Sequence, residues 1–163
     1  MPQILERPIK IPAELHQKIT TLLRIAVTAE RADKCTFQVF DELKDVLYLI
    51  AYKGFTLEFL EHFREVKSFD GSSCGRAIGI GTTVVVSDVT KDVAFLPHLK
   101  IIRAAGYRAV KSVPIFGNDH TKLGVFSTHF VKAKPLWNLH LLDNICGEMA
   151  SVLSEIRERK IHN

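Results

Sequence analysis

The 163-residue chain lacks most of the features that announce a function directly. It has no Gly-rich phosphate loop, no nucleophile elbow and no paired acidic constellation, so phosphoryl transfer and hydrolysis have no motif to rest on. Its three cysteines, Cys35, Cys74 and Cys146, fall at no metal or disulfide spacing. They read as reduced thiols, which suits a cytoplasmic protein. No apolar run reaches the length that spans a bilayer, and Met1 to Lys10 holds no apolar core of signal-peptide length. The net charge of +4 is spread along the chain, which gives no nucleic-acid or membrane footprint. Repeats, low-complexity tracts and linkers are absent as well. What remains is an ordinary globular composition, 47 % hydrophobic and 25 % charged, long enough for one domain over residues 1–163 with its own core.

Periodicity supplies the elements. After Pro12, residues Leu15, Ile19, Leu22, Leu23 and Ala26 recur at three and four positions, predicting a helix to about Thr28. Lys34 to Phe40 alternates and Val46 to Tyr52 is apolar, with a polar turn between them, so the pair reads as a hairpin. Gly54 stops it, and a short helix is expected over Thr56 to Val66. Ser72 or Ser73 can cap a further helix whose first turn holds Cys74 and which Gly79 and Gly81 end. Thr82 to Val86 reads as a strand, 87–97 as a loop and His98 to Ala105 as a helix with Gly106 after it. Tyr107 to Phe116 and Lys122 to Phe130 form a second hairpin around Gly117-Asn118-Asp119-His120. Pro114 inside the first of these strands predicts a bulge or a locally unpaired amide. A final helix is expected from Pro135 to about Lys160, with Leu139, Leu142, Ile145 or Cys146, Met149, Val152 or Leu153 and Ile156 on one stripe. Hairpin-linked strands with helices gathered elsewhere make an α+β fold around an antiparallel sheet of about five to six strands.

Strand alternation sets Ser127 and His129 on one face of their strand, and Val110, Ser112 and Pro114 on one face of its neighbour. The stripe of the last helix, added to that of the first, is broader than one sheet face needs. A homodimer through the N- and C-terminal helices is therefore expected. Cys74, beside two serines at a helix start, is a candidate for a lowered thiol pKa or, more plainly, a small buried thiol. His98, His129 and Cys74 sit at no ligand spacing within one element, so no metal site is assigned.

One ordered set of motifs carries a family resemblance. It comprises Ser73-Cys74-Gly75-Arg76-Ala77, Val86-Ser87-Asp88-Val89, Pro97-His98, Ala104-Ala105-Gly106-Tyr107-Arg108-Ala109 and Ser112-Val113-Pro114. It resembles GAF domains attached to bacterial histidine kinases and other signalling proteins, over Ile11 to about Ile156. The resemblance implies a GAF/PAS-like sheet of strand order 2-1-5-4-3, the terminal helices on one face and a small-molecule pocket on the other. It also implies a sensory role in signal transduction, as in two-component systems, without catalysis. In phytochromes, GAF relatives that bind bilins, residues matching His98, Ser112 and His129 line the pigment pocket. The ligand-binding set expected here is thus His98, Ile102, Val110, Ser112, Ser127 and His129, with the ligand itself unidentified. Pro97 stands where cyanobacterial relatives carry their attachment cysteine, which argues against a covalent bilin. Free methionine sulfoxide reductases share a Cys-Gly at the place of Cys74 but need a second thiol near Ala104 or Ala105. That leaves a redox enzyme as the distant alternative, behind a GAF-fold interaction module with no ligand.

Overall fold

The computed structural model describes residues 1–162, with side chains described as far as residue 159. Seven antiparallel strands form one sheet: β1 (Gln3–Ile4), β2 (Lys34–Asp41), β3 (Val46–Lys53), β4 (Glu65–Lys67), β5 (Val84–Val86), β6 (Ala109–Phe116) and β7 (Lys122–Phe130). The path across it is β1-β3-β2-β7-β6-β5, and β4 pairs with β3 off that path. Within it, β3-β2-β7-β6-β5 are the five strands expected from the sequence, and β1 and β4 are the short additions. Five helices complete the fold: α1 (Ala13–Glu30), α2 (Leu57–His62), α3 (Ser73–Ile80), α4 (Leu99–Ala105) and α5 (Asp143–His162).

Both faces of the sheet are covered, so the four long strands β2, β3, β6 and β7 bury both of their alternating sets. On one face Cys35, Phe37, Val39, Tyr48, Ile50 and Ile115 pack against Leu15, Ile19 and Leu23 of α1 and Met149, Val152 and Ile156 of α5. On the other face Leu47, Leu49, Val110 and Val125 pack against Phe59 of α2, Ile78 of α3, Phe95 and Ile102. Each such side chain, fully buried, contributes about 1.5–3 kcal/mol. At Gly124 a Cβ would stand 2.0 Å from the Gln38 carbonyl oxygen. Only glycine lets β7 approach β2 that closely.

Two expectations about the elements are corrected and a third, on Pro114, is narrowed to one of its alternatives. The last helix starts at Asp143, not Pro135. The intervening segment is held as a loop, with the Trp137 Nε1–H donating to Ser87 Oγ at 3.1 Å, the Lys134 N–H donating to the Ser87 carbonyl at 2.9 Å and the His140 N–H to Asn138 Oδ1 at 3.0 Å. Those bonds satisfy backbone that a helix would otherwise serve, and Leu139 stays 48 % exposed. The helix expected to run to Val66 ends at His62, because Val66 turns into β4 and faces Leu47 of β3. Pro114 pairs in register with Val125, and the bulge lies one step on, between Ile115 and Phe116. The residue is tolerated because β5 pairs only with Val110 to Ser112, which leaves β6 without a neighbour on one edge at Pro114.

The apolar stripes of α1 and α5 are consumed by the chain itself. Leu22, Leu23, Met149, Leu153 and Ile156 are all buried in the sheet-facing core, so Met149 and Ile156 do not face a partner. Lys111 and Glu30 form a buried ion pair on this same face, at 1 % and 2 % side-chain exposure. The Lys111 ammonium also donates to the Asn138 carbonyl at 3.3 Å, which ties the 131–142 loop to the sheet.

Candidate functional site

The opposite face carries a small cavity. Its floor is the second alternating set of the strands: Thr36 and Gln38 of β2, Leu49 of β3, and Ser127 and His129 of β7. One wall is the start of α3, with Ser72, Ser73 and Cys74. The roof is aromatic, from Phe59 of α2, Phe63 just after that helix, Phe95 of the 3-10 turn at Val93–His98, and Tyr107. The cavity volume is about 20 Å³, enough for a single water.

Local sequence explains the wall. Ser72 caps α3 by accepting from the Gly75 N–H at 3.1 Å, and its own N–H donates to Asp70 Oδ1 at 2.9 Å. Gly75 is required there, since a Cβ would stand 2.3 Å from Asp70 Oδ1 and 2.9 Å from the Lys67 carbonyl. The capped turn presses Ser73 onto the sheet, where Ser112 Oγ donates to Ser73 Oγ at 2.8 Å and lies 2.7 Å from Ser127 Oγ. Cys74 Sγ is 3.3 Å from Ser72 Oγ and 3.6 Å from Gln38 Nε2. Burial pushes the Cys74 thiol above its ordinary pKa, outweighing its hydrogen bond with Ser72. The helix start does not make it a reactive thiolate.

His129 stands in an aromatic nest. Its ring centroid is 4.7 Å from Tyr107 and 4.9 Å from Phe55, which in turn stacks on Phe59 at 3.8 Å. Burial brings its pKa down to about 3, against the opposing main-chain hydrogen bond with Lys34, and the nearby Lys34 charge pushes the same way as burial. The ring is neutral at pH 7, and its Nδ1 is buried without a partner, as is Gln38 Oε1.

His98 is part of the roof rather than the lining. Its Nε2 lies 2.9 Å from the Asp70 main-chain oxygen, which only accepts, so Nε2 carries the proton. In the neutral ring Nδ1 then accepts from His62 Nε2 at 2.9 Å. This chain of bonds clips α2 to the loop before α3. Burial lowers the pKa of His62, the neighbouring His98 lowers it further and Asp70 opposes both.

Of the six residues expected to bind a ligand, Ser127 and His129 line the cavity. Val110 and Ile102 are fully buried packing on the same face, Ser112 supports Ser73 and Ser127 from behind, and His98 closes the roof. Sequence reasoning missed Gln38 and the aromatic roof. The signal for Gln38 was present: polar Thr36 and Gln38 alternate with apolar Cys35, Phe37 and Val39, and in a sheet covered on both sides the polar set is also inside. Among the described residues no group of three or more metal-ligating side chains converges, and no helix is long and apolar enough to cross a membrane. A wider groove of about 380 Å³ beside the β2–β3 turn, lined by Leu43, Tyr48 and Ile156, holds none of the buried unpartnered side-chain polar atoms.

A sheet between two terminal helices and a capped, aromatic-roofed cavity is the arrangement that the motif order implied. The GAF domain family matches the chain over residues 14–153. The chain belongs to the GAF domain family. GAF domains are typically sensory or regulatory modules. Solved structures agree on the fold. A domain of a two-component sensor histidine kinase protein from Sinorhizobium meliloti superposes with a TM-score of 0.71 at 13 % identity, covering 93 % of this chain and 96 % of that one. The GAF domain region of a membrane protein from Geobacter sulfurreducens gives 0.70 at 19 %, covering 87 % and 94 %. The type II free methionine-R-sulfoxide reductase from Thermoplasma acidophilum gives 0.66 at 17 %, covering 86 % and 92 %. A comparison with curated proteins finds no match.

Proposed function

We propose that this GAF domain is a non-catalytic sensor that binds a small molecule in the cavity between α3 and β7 and passes the change to α1 and α5 in a signalling pathway. The observation that carries the reading is the pair of buried, unpartnered polar atoms, Gln38 Oε1 and His129 Nδ1, in side chains that line one aromatic-walled cavity. Buried polar groups without partners are rare, and they recur where a ligand or water completes them. The sulfoxide reductase reading is disfavoured by the raised pKa of Cys74 and by alanine at both 104 and 105. A ligand-free interaction module is the second reading, and the small cavity volume favours it. In either case a second copy would meet the outer faces of α1 and α5, where Ile25 is 47 % exposed, rather than the buried stripe.

The test is native mass spectrometry of the purified protein joined to a thermal-shift screen of nucleotides, amino acids and aromatic acids. A ligand at a hundred times its dissociation constant adds roughly 2.7 kcal/mol of stability. A retained mass or a hit that disappears in His129→Phe, with the fold intact, supports the sensor. An empty protein that no compound stabilises hands the assignment to the interaction module.

A further inference from the structure

The groups that line the cavity define what can sit in it. Gln38 is 1 % exposed and His129 is 4 % exposed. The amide of Gln38 directs Nε2 to Cys74 Sγ, which leaves Oε1 as an acceptor with nothing donating to it. His129 is neutral and its Nδ1 is buried without a partner, so in the tautomer that carries its proton on Nε2 that atom offers a lone pair. No lysine or arginine lines the cavity. An anion entering would exchange its water shell for neutral hydroxyls, lone pairs and rings of low polarity with no cation to pair with, an unfavourable transfer. A molecule that brings N–H donors satisfies both acceptors at once. The ring faces of Phe59, Phe63 and Tyr107 favour a flat one.

We propose that the cavity takes an uncharged, planar molecule with N–H donors, of the aromatic carboxamide class, and rejects the matching carboxylate. The inference rests on the sensor reading, because it names the ligand class of that same cavity. Since the present volume admits only a water, a ring enters by lifting the roof of α2 and the 3-10 turn, which the His62–His98 bond holds down.

The experiment uses two isosteric pairs, benzamide with benzoate and nicotinamide with nicotinate, plus inorganic phosphate. Each is titrated into ¹⁵N-labelled protein at pH 7.5. The expected result is that the amides move the backbone resonances of Gln38, Ser127 and His129, and that the carboxylates and phosphate bind at least tenfold more weakly. Gln38→Met and His129→Phe should each weaken the amides at least tenfold. Where a variant does not fold, the amide-to-carboxylate ratio in the wild-type protein decides alone. Carboxylates that move the same resonances more strongly overturn the ligand class and leave the sensor reading in place. So do amides that bind both folded variants as tightly as wild type. Silence from every probe also overturns the class, and the sensor reading is then judged on the retained ligand in the native mass spectrum.

Discussion

Lowering the pH should destabilise this domain through His129 well before its carboxylates respond. The ring is neutral in the fold, with a pKa of about 3 against an ordinary 6.5. Between those values the unfolded chain binds a proton that the folded chain refuses, so stability rises with pH across the window. The contribution is complete above about pH 6.5 and is lost as the pH falls. The whole shift corresponds to about 5 kcal/mol, at ~1.36 kcal/mol per tenfold change in proton affinity. From pH 7.5 to 5.0 the loss is about 2 kcal/mol, in a range where Glu14 and Asp88, whose pKa values are lowered, are still ionised. His62 titrates in the same direction, so both proteins compared should carry His62→Gln. Urea unfolding of that background, with and without His129→Phe, then gives two stability profiles. The protein that keeps His129 should lose about 2 kcal/mol more over this range than the one carrying His129→Phe. Parallel profiles, or an NMR titration of His129 with a midpoint near pH 6, would refute the claim that the ring is buried neutral.

Two further outcomes follow from the helix-covered face. Met149→Asp should fail to fold rather than give a folded monomer, because Met149 is 0 % exposed in the core; Met149→Ala should cost about 2–5 kcal/mol in urea unfolding, and a stable Asp variant would place that side of α5 outside. Lys111→Met should cost about 3–5 kcal/mol by leaving the Glu30 carboxylate buried and alone, and adding Glu30→Leu should recover most of it; a double mutant no more stable than the single would show that Glu30 is solvated.

How much of this was legible before the structure depends on the range of the interaction. Alternation within one hairpin is local, and it placed Ser112 and Ser127, and Val110 and His129, on one face, where they pair directly across β6 and β7. The helix caps at Ser72 and Gly106 were equally local. The start of α5 was not legible, because Leu139 continues the stripe in sequence while Ser87, some fifty residues earlier, fixes the loop in space. His98 escaped for the same reason. Its partners Asp70 and His62 are 28 and 36 residues away, and no pattern near Pro97 reveals whether the ring reaches the cavity or only closes it. The size of the cavity was beyond reach altogether, since it is set by how four separate segments pack their rings.

The sheet is a single layer, and that has a mechanical meaning at β6. Ser112 grips the start of α3 through Ser73, while its chain neighbour Lys111 holds the last residue of α1, Glu30, from the far side. One peptide unit therefore carries both handles. On the sensor reading, a push on the α3 side that tilts the strand would pull on the ammonium of Lys111, and a change in the seating of α1 would lean on the serines. Nothing has to travel around the edge of the domain, because the two events are opposite ends of the same lever.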